Sequence, residues 1–382
     1  MQPVHEVATI LNRHWDRAND QLQLNGWQWR TLHAIRRCRT SALGGHVDQC
    51  DQCGHVRISY NSCRNRHCPK CQGQQREAWM EARKEDLLPV PYYHVVFTLP
   101  EAINKIALYQ PATVYGLLFS TAWNTIQSFA ADVKYLGAQA GMISVLHTWG
   151  QTLSLHPHLH CIIPGGGITK GGRWKCTRSN GKYLYPVKAL SKVFRAKYVS
   201  SLRQALPNES KTSFQSLFNS NWVVYAKRPF GGPEQVVEYL GRYTHKIAIN
   251  NHRITGIDDD TVSFMYKDYR QEGIKKQMTL HSIEFIRRFA LHILPKGFVR
   301  IRHYGMLSNA IKVSAIALIR EQLQPGMVMP KQGDDKVNIA LPAASKCPCC
   351  KKGIMQVVMD FDHRGPPVDL IKLLLRQETP AT

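Results

Sequence analysis

The stretch His156-Pro-His-Leu-His-Cys-Ile-Ile163 joins a run of histidines to a predicted β-strand. Its apolar and β-branched second half favours a strand. Successive side chains of a strand point to opposite faces, so His158 and His160 leave the same face while Leu159 points into the core. Two neutral imidazoles on one face can hold one cation. The stretch therefore predicts a metal site on a sheet.

Two histidines do not complete the ligand set of such a site. Gln151 and His156 lie close enough in the sequence to supply a third ligand, and both choices are open. Water or phosphate oxygens would fill the remaining positions, because metal-assisted catalysis requires an open shell. A His-x-His pair by itself is more often two hydrogen-bonded histidines on a sheet, so the rest of the chain has to decide its meaning.

The flanking sequence predicts an antiparallel sheet crossed by helices. Strands are expected at 92–99, 142–149 and 158–163, with a hairpin at 252–270. Helices are expected at 1–30, 74–88, 101–133, 187–206 and 234–245. This mixture of elements indicates the α+β class, with a sheet packed against helices.

Tyr239 and Tyr243 stand four residues apart in the predicted helix 234–245, which places both hydroxyls on one face. Aromatic residues at this spacing are more often core residues. The polar residues around them favour accessible phenols instead, and Arg242 and Lys246 could neutralise a phosphate or a phenolate. A phenol with a pKa of about 10 is a poor nucleophile at neutral pH. It needs a metal that polarises the phosphate, and the histidine pair predicts one.

Two Cys-x-x-Cys pairs, Cys50/Cys53 and Cys68/Cys71, are separated by fourteen residues. Zinc takes four ligands at tetrahedral corners, and two tight turns can supply two thiolates each. The spacing predicts one zinc site with these four ligands, although Cys63 and three nearby histidines are alternatives. A closed shell of four thiolates leaves no position for substrate, so this zinc would be structural.

A third pair, Cys347 and Cys350, has no second pair near it in the sequence. It is half a metal site at best, and two reduced thiols are an equally good interpretation. The expected domains are 1–88, helical and zinc-binding; 89–325, with the histidines and tyrosines; and 326–382, a C-terminal tail with this partial knuckle.

The charge of the chain restricts its partners. Lys and Arg number 50 against 27 Asp and Glu, a net charge of +23. The basic residues are dispersed, which favours folded surfaces that follow a phosphate backbone over a basic tail; a basic surface without such a partner is the alternative. The chain has no run of about eighteen apolar residues and no signal-peptide core, which predicts a cytoplasmic protein.

Four motifs in a fixed order resemble a known family. They are Ser62-Cys-Arg-Asn-Arg-His-Cys-Pro-Lys-Cys71, Phe97-Thr-Leu-Pro100, His156-Pro-His-Leu-His160 and Tyr239-Leu-Gly-Arg-Tyr-Thr-His245. Together they resemble the two-tyrosine HUH transposases of rolling-circle insertion sequences, which carry an N-terminal transposase zinc-binding domain. The resemblance covers nearly all of the chain except its last fifty or so residues.

This resemblance implies an HUH-endonuclease core, a central antiparallel sheet flanked by helices, after a small helical and zinc-ribbon domain. It implies Mg²⁺ or Mn²⁺ at His158 and His160, and attack by Tyr239 or Tyr243 on single-stranded DNA to leave a 5′-phosphotyrosine and a free 3′-hydroxyl. The bond energy is kept in the ester, so rejoining needs no ATP.

The N-terminal domain is expected, from the same resemblance, to bind hairpin or single-stranded DNA at the ends of a mobile element. Phosphate contacts are expected from Arg57, Arg64, Arg66 and Lys70, each of which could equally belong to a solvated basic loop. A protein with this substrate would associate with the nucleoid. The oligomeric state is not predicted.

Two other functions are consistent with the same residues. A rolling-circle replication initiator or a relaxase would use the same chemistry in the service of a replicon. A zinc-containing DNA-binding protein without cutting activity would keep the histidines and tyrosines for structural reasons.

Overall fold

The computed structural model describes residues 3–72, 86–177, 184–208, 211–220, 222–226, 235–236, 241, 246–323 and 346–366. The chain forms two compact units, of which unit 1 is Met1–Cys71 with Pro330–Thr382 and unit 2 is Gln72–Met329. The helices predicted at 74–88 and 234–245 lie largely outside the described residues, and Tyr239, Arg242 and Tyr243 lie wholly outside them.

The elements within the described residues are as follows. The helices are α1 (Val7–Arg13), α2 (Trp15–Gln21), α3 (Gly26–Arg36), α4 (Asn104–Tyr109), α5 (Pro111–Ala131), α6 (Val187–Ala205), α7 (Lys211–Asn219), α8 (Ser282–Leu291) and α9 (Lys312–Leu323). The strands are β1 (Gly45–Cys50), β2 (Val56–Tyr60), β3 (Tyr92–Thr98), β4 (Gly141–Trp149), β5 (Leu155–Pro164), β6 (Gly166–Ile168), β7 (Trp174–Cys176), β8 (Val223–Ala226), β9 (Ile254–Ile257), β10 (Thr261–Asp268), β11 (Ile274–His281), β12 (Ile301–Gly305) and β13 (Met355–Phe361). Among the described helices, none combines the length and apolar character needed to span a bilayer.

A five-stranded sheet lies at the centre of unit 2. Its strand order is β12-β4-β5-β3-β8, and every neighbouring pair is antiparallel. β5, the strand that carries the histidines, is the middle strand, with β4 and β3 on its two sides. The sheet confirms the predicted antiparallel α+β core and the strands expected at 92–99, 142–149 and 158–163.

One face of this sheet builds the main hydrophobic core. Val95 and Phe97 of β3 and Leu159 and Cys161 of β5 point to that face and are buried. They pack against α5 and α6, where the ring of Phe194 lies 4.9 Å from that of Phe97. The helices expected at 101–133 and 187–206 are thus confirmed as the layer that covers this face.

The opposite face is apolar at one end and polar at the other. Ile143 of β4 and Ile162 of β5 are buried against Ile316 and Ile319 of α9. Two and four residues before Ile162, the same face carries His160 and His158, because side chains of a strand return to one face at every second residue. The change from isoleucine to histidine along β5 marks the point where the packed face becomes an open site.

A smaller antiparallel sheet, in the order β11-β10-β9, follows in unit 2. β9 and β10 form the hairpin predicted at 252–270, and β11 extends it by a third strand. A hydroxyl pair between Ser263 and Thr279, 2.7 Å apart, joins β10 to β11. The end of β10 and the turn after it contribute to the candidate site described below.

The N-terminal helical region of unit 1 differs from its prediction. The single helix expected over 1–30 is three helices, α1, α2 and α3. The chain leaves helical geometry at His14, where φ is −116° and ψ is 20°. Asn25 then starts α3 with a capping box, because its side chain accepts from the backbone N–H of Gln28 while the Gln28 side chain accepts from the backbone N–H of Asn25.

The end of the chain belongs to unit 1. β13 pairs antiparallel with β1, which also pairs with β2, so the sheet order is β13-β1-β2. The segment expected as a separate tail over 326–382 is therefore, in its described part 346–366, a strand and a turn of the N-terminal unit. Local sequence cannot show this pairing because more than three hundred residues separate the two strands.

The tight approach of β12 to β4 gives a test of the sheet. Gly305 has a φ of +59°, and a Cβ there would lie 2.0 Å from the carbonyl oxygen of Ala140. Gly305→Ala should lower the free energy of unfolding by at least about 1–3 kcal/mol, because a left-handed conformation is strained for alanine even before the clash. Urea denaturation of the two proteins measures the difference.

Gly116 supplies the matched control, since it lies within α5 and a Cβ there would meet nothing within 4 Å. Gly116→Ala should leave stability unchanged or raise it by about 0.5–1 kcal/mol, as alanine is the better helix former. Equal effects of the two substitutions would contradict the described packing at β12.

Candidate metal centre and nucleic-acid cleft

Three histidines converge on one face of the central sheet. The metal-binding ring nitrogens of His147, His158 and His160 lie within 4.8 Å of one another. The strand register explains the arrangement, because His147 of β4 is directly opposite His158 of β5, and His160 follows two residues later on the same face. The predicted pair His158 and His160 is thus brought together, with a third imidazole from the neighbouring strand.

This third imidazole differs from the expected ones. Gln151 and His156 both line the cleft around the histidines. His156, however, lies outside the group of mutually close ring nitrogens, and the sequence-based expectation of His156 is corrected to His147. His156 lies near the start of β5 and is exposed, whereas His147 of β4 is buried directly opposite His158.

Hydrogen bonds orient the two imidazoles of β5. Nδ1 of His158 lies 2.7 Å from the backbone oxygen of His156 and donates to it, which leaves Nε2 as the metal-binding atom. Nδ1 of His160 lies 2.9 Å from Nε2 of His94, a buried histidine of β3. When Nδ1 of His160 donates to His94, its Nε2 is likewise left with a lone pair. Such outer partners fix the tautomer of a ligand.

Burial keeps these imidazoles neutral. It lowers the pKa of His158 to about 4, and it lowers the pKa of His160 well below its ordinary value, with His158 and His94 adding to the effect. Both groups are therefore unprotonated at pH 7, the state in which an imidazole binds a metal. The donor set of three nitrogens fits a transition-metal ion, and a harder ion such as Mg²⁺ would rely more on water or phosphate oxygens.

The histidines open into a cleft of about 680 Å³ in unit 2. Trp149 forms one part of its wall, stacked on His147 at 4.6 Å. The end of β10 and the following turn supply Tyr266, Lys267 and Tyr269. The cleft therefore combines a metal-binding face with aromatic rings and cations, which is the chemistry that accommodates nucleic-acid bases and phosphates.

Lys246 lines this cleft as the sequence predicts for a phosphate contact. The backbone oxygen of Lys246 accepts a hydrogen bond from Arg300, a buried arginine whose guanidinium also lies over the Trp149 ring. Desolvation in the cleft lowers the pKa of Lys246, and the charges of Arg253 and Lys267 lower it further.

Tyr239, Tyr243 and Arg242 lie outside the described residues, so their predicted roles stay predictions. Lys246 stands only three residues after Tyr243 along the chain. Lys246 is the first described residue after the tyrosine motif, and it lines the cleft.

The cysteines of unit 1 form two clusters, where the sequence predicts one. The predicted set Cys50, Cys53, Cys68 and Cys71 is not brought together, and each pair has other partners. One cluster is Cys38, Cys63, Cys68 and Cys71, and the other is Cys50, Cys53, Cys347 and Cys350. Within each cluster the Sγ atoms lie within 4.8 Å of one another.

The β1–β2 hairpin explains why the predicted set is wrong. Cys50 ends β1 and Cys53 lies in the turn of the hairpin, whereas Cys68 and Cys71 come after β2 has returned along β1. A strand advances about 3.3 Å per residue, so the five residues of β2 carry the chain roughly 15 Å away from the turn. In the structure each pair stays at its own end of the hairpin, where other cysteines complete its cluster.

The first cluster fits a closed zinc site. The Sγ atom of Cys71 lies 3.5 Å from that of Cys38 and 3.7 Å from that of Cys63. With Zn–S bonds of about 2.3 Å, neighbouring thiolates at tetrahedral corners are about 3.8 Å apart. Cys63 was an alternative ligand on sequence grounds, but Cys38 follows α3 far from any Cys-x-x-Cys pair and had no local signal.

The basic residues predicted to contact DNA differ in their surroundings. Arg57 is paired with Asp48 at 3.0 Å, and Lys70 with Glu6 at 2.6 Å. Arg66 is partly buried, and this burial lowers its pKa. Arg64 is exposed and has a φ of +50°. Arg57 and Lys70 are thus ion-paired, whereas Arg64 is exposed, and the predicted phosphate contacts of all four stay predictions.

Two family models match the chain. The model described as "Transposase zinc-binding domain" matches residues 10–99, a range that contains all four cysteines of the first cluster. The model described as "Putative transposase" matches residues 141–314, which include β4, β5 and the histidines.

The similarity to two transposase sequences extends over most of the chain. The chain is 44% identical to "Putative transposase y4qJ" of Sinorhizobium fredii, over 95% of this chain and 97% of that protein. It is 26% identical to "Transposase for insertion sequence element IS801" of Pseudomonas savastanoi pv. phaseolicola, over 85% of this chain and 80% of that protein.

Among solved structures, the chain is similar to a conjugative relaxase, TrwC, in complex with oriT DNA in its metal-bound form. The identity is 12%, the match covers 41% of this chain and 72% of that chain, and the TM-score is 0.24. A second structure of the same relaxase with DNA, without metal, gives 11% identity and the same TM-score of 0.24. Scores this low do not establish a common fold.

Replacement of single histidines tests the ligand set. His147→Ala should weaken binding of Mn²⁺ by about a hundredfold or more. Loss of a residue that only orients a metal ligand already costs about tenfold to a hundredfold in affinity, and loss of a ligand should cost more. His156→Ala is the matched control and should bind Mn²⁺ like the unmodified protein, since the backbone oxygen that His158 uses is kept. Isothermal titration of metal-depleted protein measures both. The reverse order of effects would restore His156 as the third ligand.

Proposed function

This chain belongs to the IS91 and IS801 family of insertion-sequence transposases, and on that premise we propose that it cuts and rejoins one DNA strand at the ends of a mobile element. The membership rests on 44% identity to a putative transposase over 95% of the chain, together with the IS91-type zinc-binding model and the similarity to the IS801 transposase. The proposed intermediate is a 5′-phosphotyrosine formed with the assistance of a divalent metal ion. The observation that carries the proposal is the cluster of His147, His158 and His160 in a basic, aromatic cleft.

The histidine cluster suits catalysis because its shell is open. Three imidazoles occupy one side of a site that faces the cleft, so positions remain for oxygens of a phosphate. When bound there, Mn²⁺ or Mg²⁺ would withdraw electrons from the scissile phosphate and offset the charge that builds on it. His94 holds His160 in one orientation and His156 holds His158 through its backbone oxygen, which preorganises the site.

The proposed nucleophiles are Tyr239 and Tyr243. In the cutting step the phenol loses its proton, its oxygen forms a bond to phosphorus, and the bond from phosphorus to the 3′ oxygen breaks. The leaving 3′ oxygen takes up a proton and becomes a free hydroxyl. Because one ester replaces another, the reverse step can join the strand without ATP. A second tyrosine would allow one strand end to be held while another is cut.

Lys246 supports this assignment through its position. It lines the cleft with the histidines and stands three residues after Tyr243 in the sequence. An ammonium group there favours both phenolate and phosphate, since opposite charges at short range stabilise the ionised form. Its lowered pKa also allows it to exchange a proton more easily than an ordinary lysine, with burial as the main cause.

The walls of the cleft favour single-stranded DNA as the substrate. Tyr269 is largely exposed at the turn after β10, and Tyr266 and Trp149 line the same cleft. Aromatic rings bind unpaired bases by stacking, which contributes about 1–3 kcal/mol per base. Bases inside a duplex are already stacked on one another and cannot use such rings.

Unit 1 would recognise the ends of the element. Its zinc-binding match and its exposed Arg64 are consistent with DNA binding by a small domain with structural metal. Hairpin or single-stranded DNA is the expected ligand, from the resemblance described above. A chain of net charge +23 with such a substrate would be found with the nucleoid.

The two alternative functions make different products. A replication initiator or relaxase would cut with the same histidines and tyrosines, but at a replicon origin and without joining to a new target. A DNA-binding protein without cutting activity would form no covalent adduct. The identity to transposases over nearly the whole chain favours the transposase.

Substitution of the tyrosines tests the cutting step. The probes are labelled single-stranded oligonucleotides that cover both strands of the DNA on either side of the gene, incubated with Mn²⁺. The unmodified protein should form a covalent adduct that denaturing electrophoresis detects and that EDTA prevents. The double substitution Tyr239→Phe with Tyr243→Phe should abolish the adduct, because phenylalanine has no oxygen to form the ester.

Tyr109→Phe is the control for this experiment, since Tyr109 is exposed at the end of α4 and outside the cleft. It should form the adduct at the normal rate. Specific binding to these oligonucleotides with no adduct by the unmodified protein would instead support the non-cutting alternative. An adduct that persists in the double variant would exclude the two tyrosines as nucleophiles.

Lys246→Met tests the proposed role of the cleft cation. Loss of the positive charge should slow adduct formation about tenfold or more, a loss of about 1.4 kcal/mol in transition-state stabilisation. Affinity for Mn²⁺ should be unchanged or slightly higher, because one repelling charge near the histidines is removed. Lys105→Met, an exposed lysine of α4, is the matched control. Equal rates for both variants would remove Lys246 from the mechanism.

A further inference from the structure

The second cysteine cluster draws on both ends of the chain. Cys50 and Cys53 come from the turn between β1 and β2, and Cys347 and Cys350 precede β13. The Sγ atom of Cys50 lies 3.7 Å from that of Cys350, and that of Cys53 lies 3.6 Å from that of Cys347. Cys53 and Cys347 are 294 positions apart in the sequence.

These distances match a tetrahedral thiolate site. Thiolates around one zinc ion are about 3.8 Å apart when the Zn–S bonds are about 2.3 Å long. The two pairs each have two residues between their cysteines, the spacing at which a tight turn presents two sulfurs to one ion. A cluster of ordinary buried thiols is a poorer explanation of this arrangement, because Cys53 is exposed to solvent.

Backbone donors at both turns are aimed at the sulfurs. The N–H groups of Gln52 and Cys53 donate to Sγ of Cys50 at 3.4 and 3.5 Å. The N–H group of Gly353 donates to Sγ of Cys350 at 3.3 Å. Donors of this kind stabilise a thiolate over a thiol, and the thiolate is the form that binds a metal. Both turns therefore stabilise thiolates in the same way, although one turn is near the N-terminus and the other is near the C-terminus.

The two turns also fit against each other closely. A Cβ at Gly353 would lie 2.4 Å from Sγ of Cys50 and 2.6 Å from Oδ1 of Asp51, so only glycine fits there. Oδ1 of Asp51 accepts from the backbone N–H of Ile354 at 2.8 Å, and the backbone N–H of Asp51 donates to the oxygen of Ile354 at 3.2 Å. Direct hydrogen bonds thus join the two turns beside the sulfurs.

We propose that Cys50, Cys53, Cys347 and Cys350 bind a second structural zinc ion, which fastens the C-terminal strand β13 to the N-terminal unit. The site is separate from the first cluster, and two of its ligands lie outside the matched zinc-binding region 10–99. Four thiolates fill the tetrahedral shell, so the ion has no open position and serves the fold alone. It continues the ladder between β1 and β13, in which Cys50 is opposite Met355.

This site has a consequence for how unit 1 forms. Its sheet gains a third strand and its second zinc site gains half of its ligands only after residue 350 has been synthesised. Because the site forms only when the two turns meet, the free energy of zinc binding stabilises a contact whose long loop would otherwise cost entropy to close. The N-terminal unit is therefore completed by the last part of the chain.

Metal analysis of the full-length chain tests the proposal. The parent protein carries His158→Ala, so that the histidine cluster retains no ion and only thiolate sites are counted. After gel filtration it should contain two zinc ions per chain by plasma mass spectrometry. Cys347→Ser with Cys350→Ser should reduce this to one. Cys349→Ser, at an exposed cysteine between the two ligands, is the matched control and should keep two.

Three results of this measurement would overturn the proposal: one zinc ion in the parent, two in the double serine variant, or iron in place of zinc at the second site. Iron is included because four thiolates also bind it in a tetrahedral geometry. The iron content is measured in the same samples.

If the double serine variant does not fold, the rate at which cysteines of the unmodified protein are alkylated tests the second zinc site. With iodoacetamide and peptide mass spectrometry, Cys53 and Cys350 should react much more slowly than Cys176 and Cys349. Cys53, Cys176 and Cys349 are all exposed, so burial cannot protect Cys53. Removal of zinc by a strong chelator should make Cys53 and Cys350 reactive together, because it leaves both thiols free. Reaction of Cys53 at the rate of Cys349 before zinc release would refute the second site.

Discussion

The register between β4 and β5 is the constraint on which the candidate site depends. It sets His147 opposite His158, and the alternation along β5 adds His160 on the same face. A shift of one residue in this pairing would turn the neighbouring side chains to the other face and bury an imidazole in the core. The register is held by the packing of Leu159 and Cys161 against α5 and α6, since these residues cannot face water without loss of the main apolar contact.

The same alternation separates two tasks within one sheet. The face toward α5 and α6 is continuous apolar core, whereas the other face changes from Ile162 to His160 and His158 along a single strand. Rigid strands are well suited to hold ligands, because the ladder on both sides of β5 fixes the backbone that carries them. His94 of β3 contributes from the other side, so all three central strands take part in orienting the imidazoles.

Unit 1 is stabilised in a different way. It is small and its described core near the cysteines is limited to a few residues, so metal ligation supplies order that apolar burial does not. Two sets of four sulfurs stand at the two ends of the β1–β2 hairpin, one set completed from the end of α3 and the other from the segment before β13. The two Cys-x-x-Cys pairs therefore belong to different clusters and do not share one site.

The sequence by itself determined the α+β class, the strands that carry the histidines, the pairing of His158 with His160 on one face, and the use of cysteines as clustered ligands. These features follow from the alternation of apolar and polar residues and from the short spacing of the histidines and cysteines, both of which are visible within a few residues of sequence. Tertiary structure alone decided that His147 is the third imidazole, that Cys38 and Cys63 join Cys68 and Cys71, and that Cys347 and Cys350 meet Cys50 and Cys53. Each of these depends on which strands or turns lie side by side, and that choice is made by burial and backbone pairing between segments far apart in the sequence.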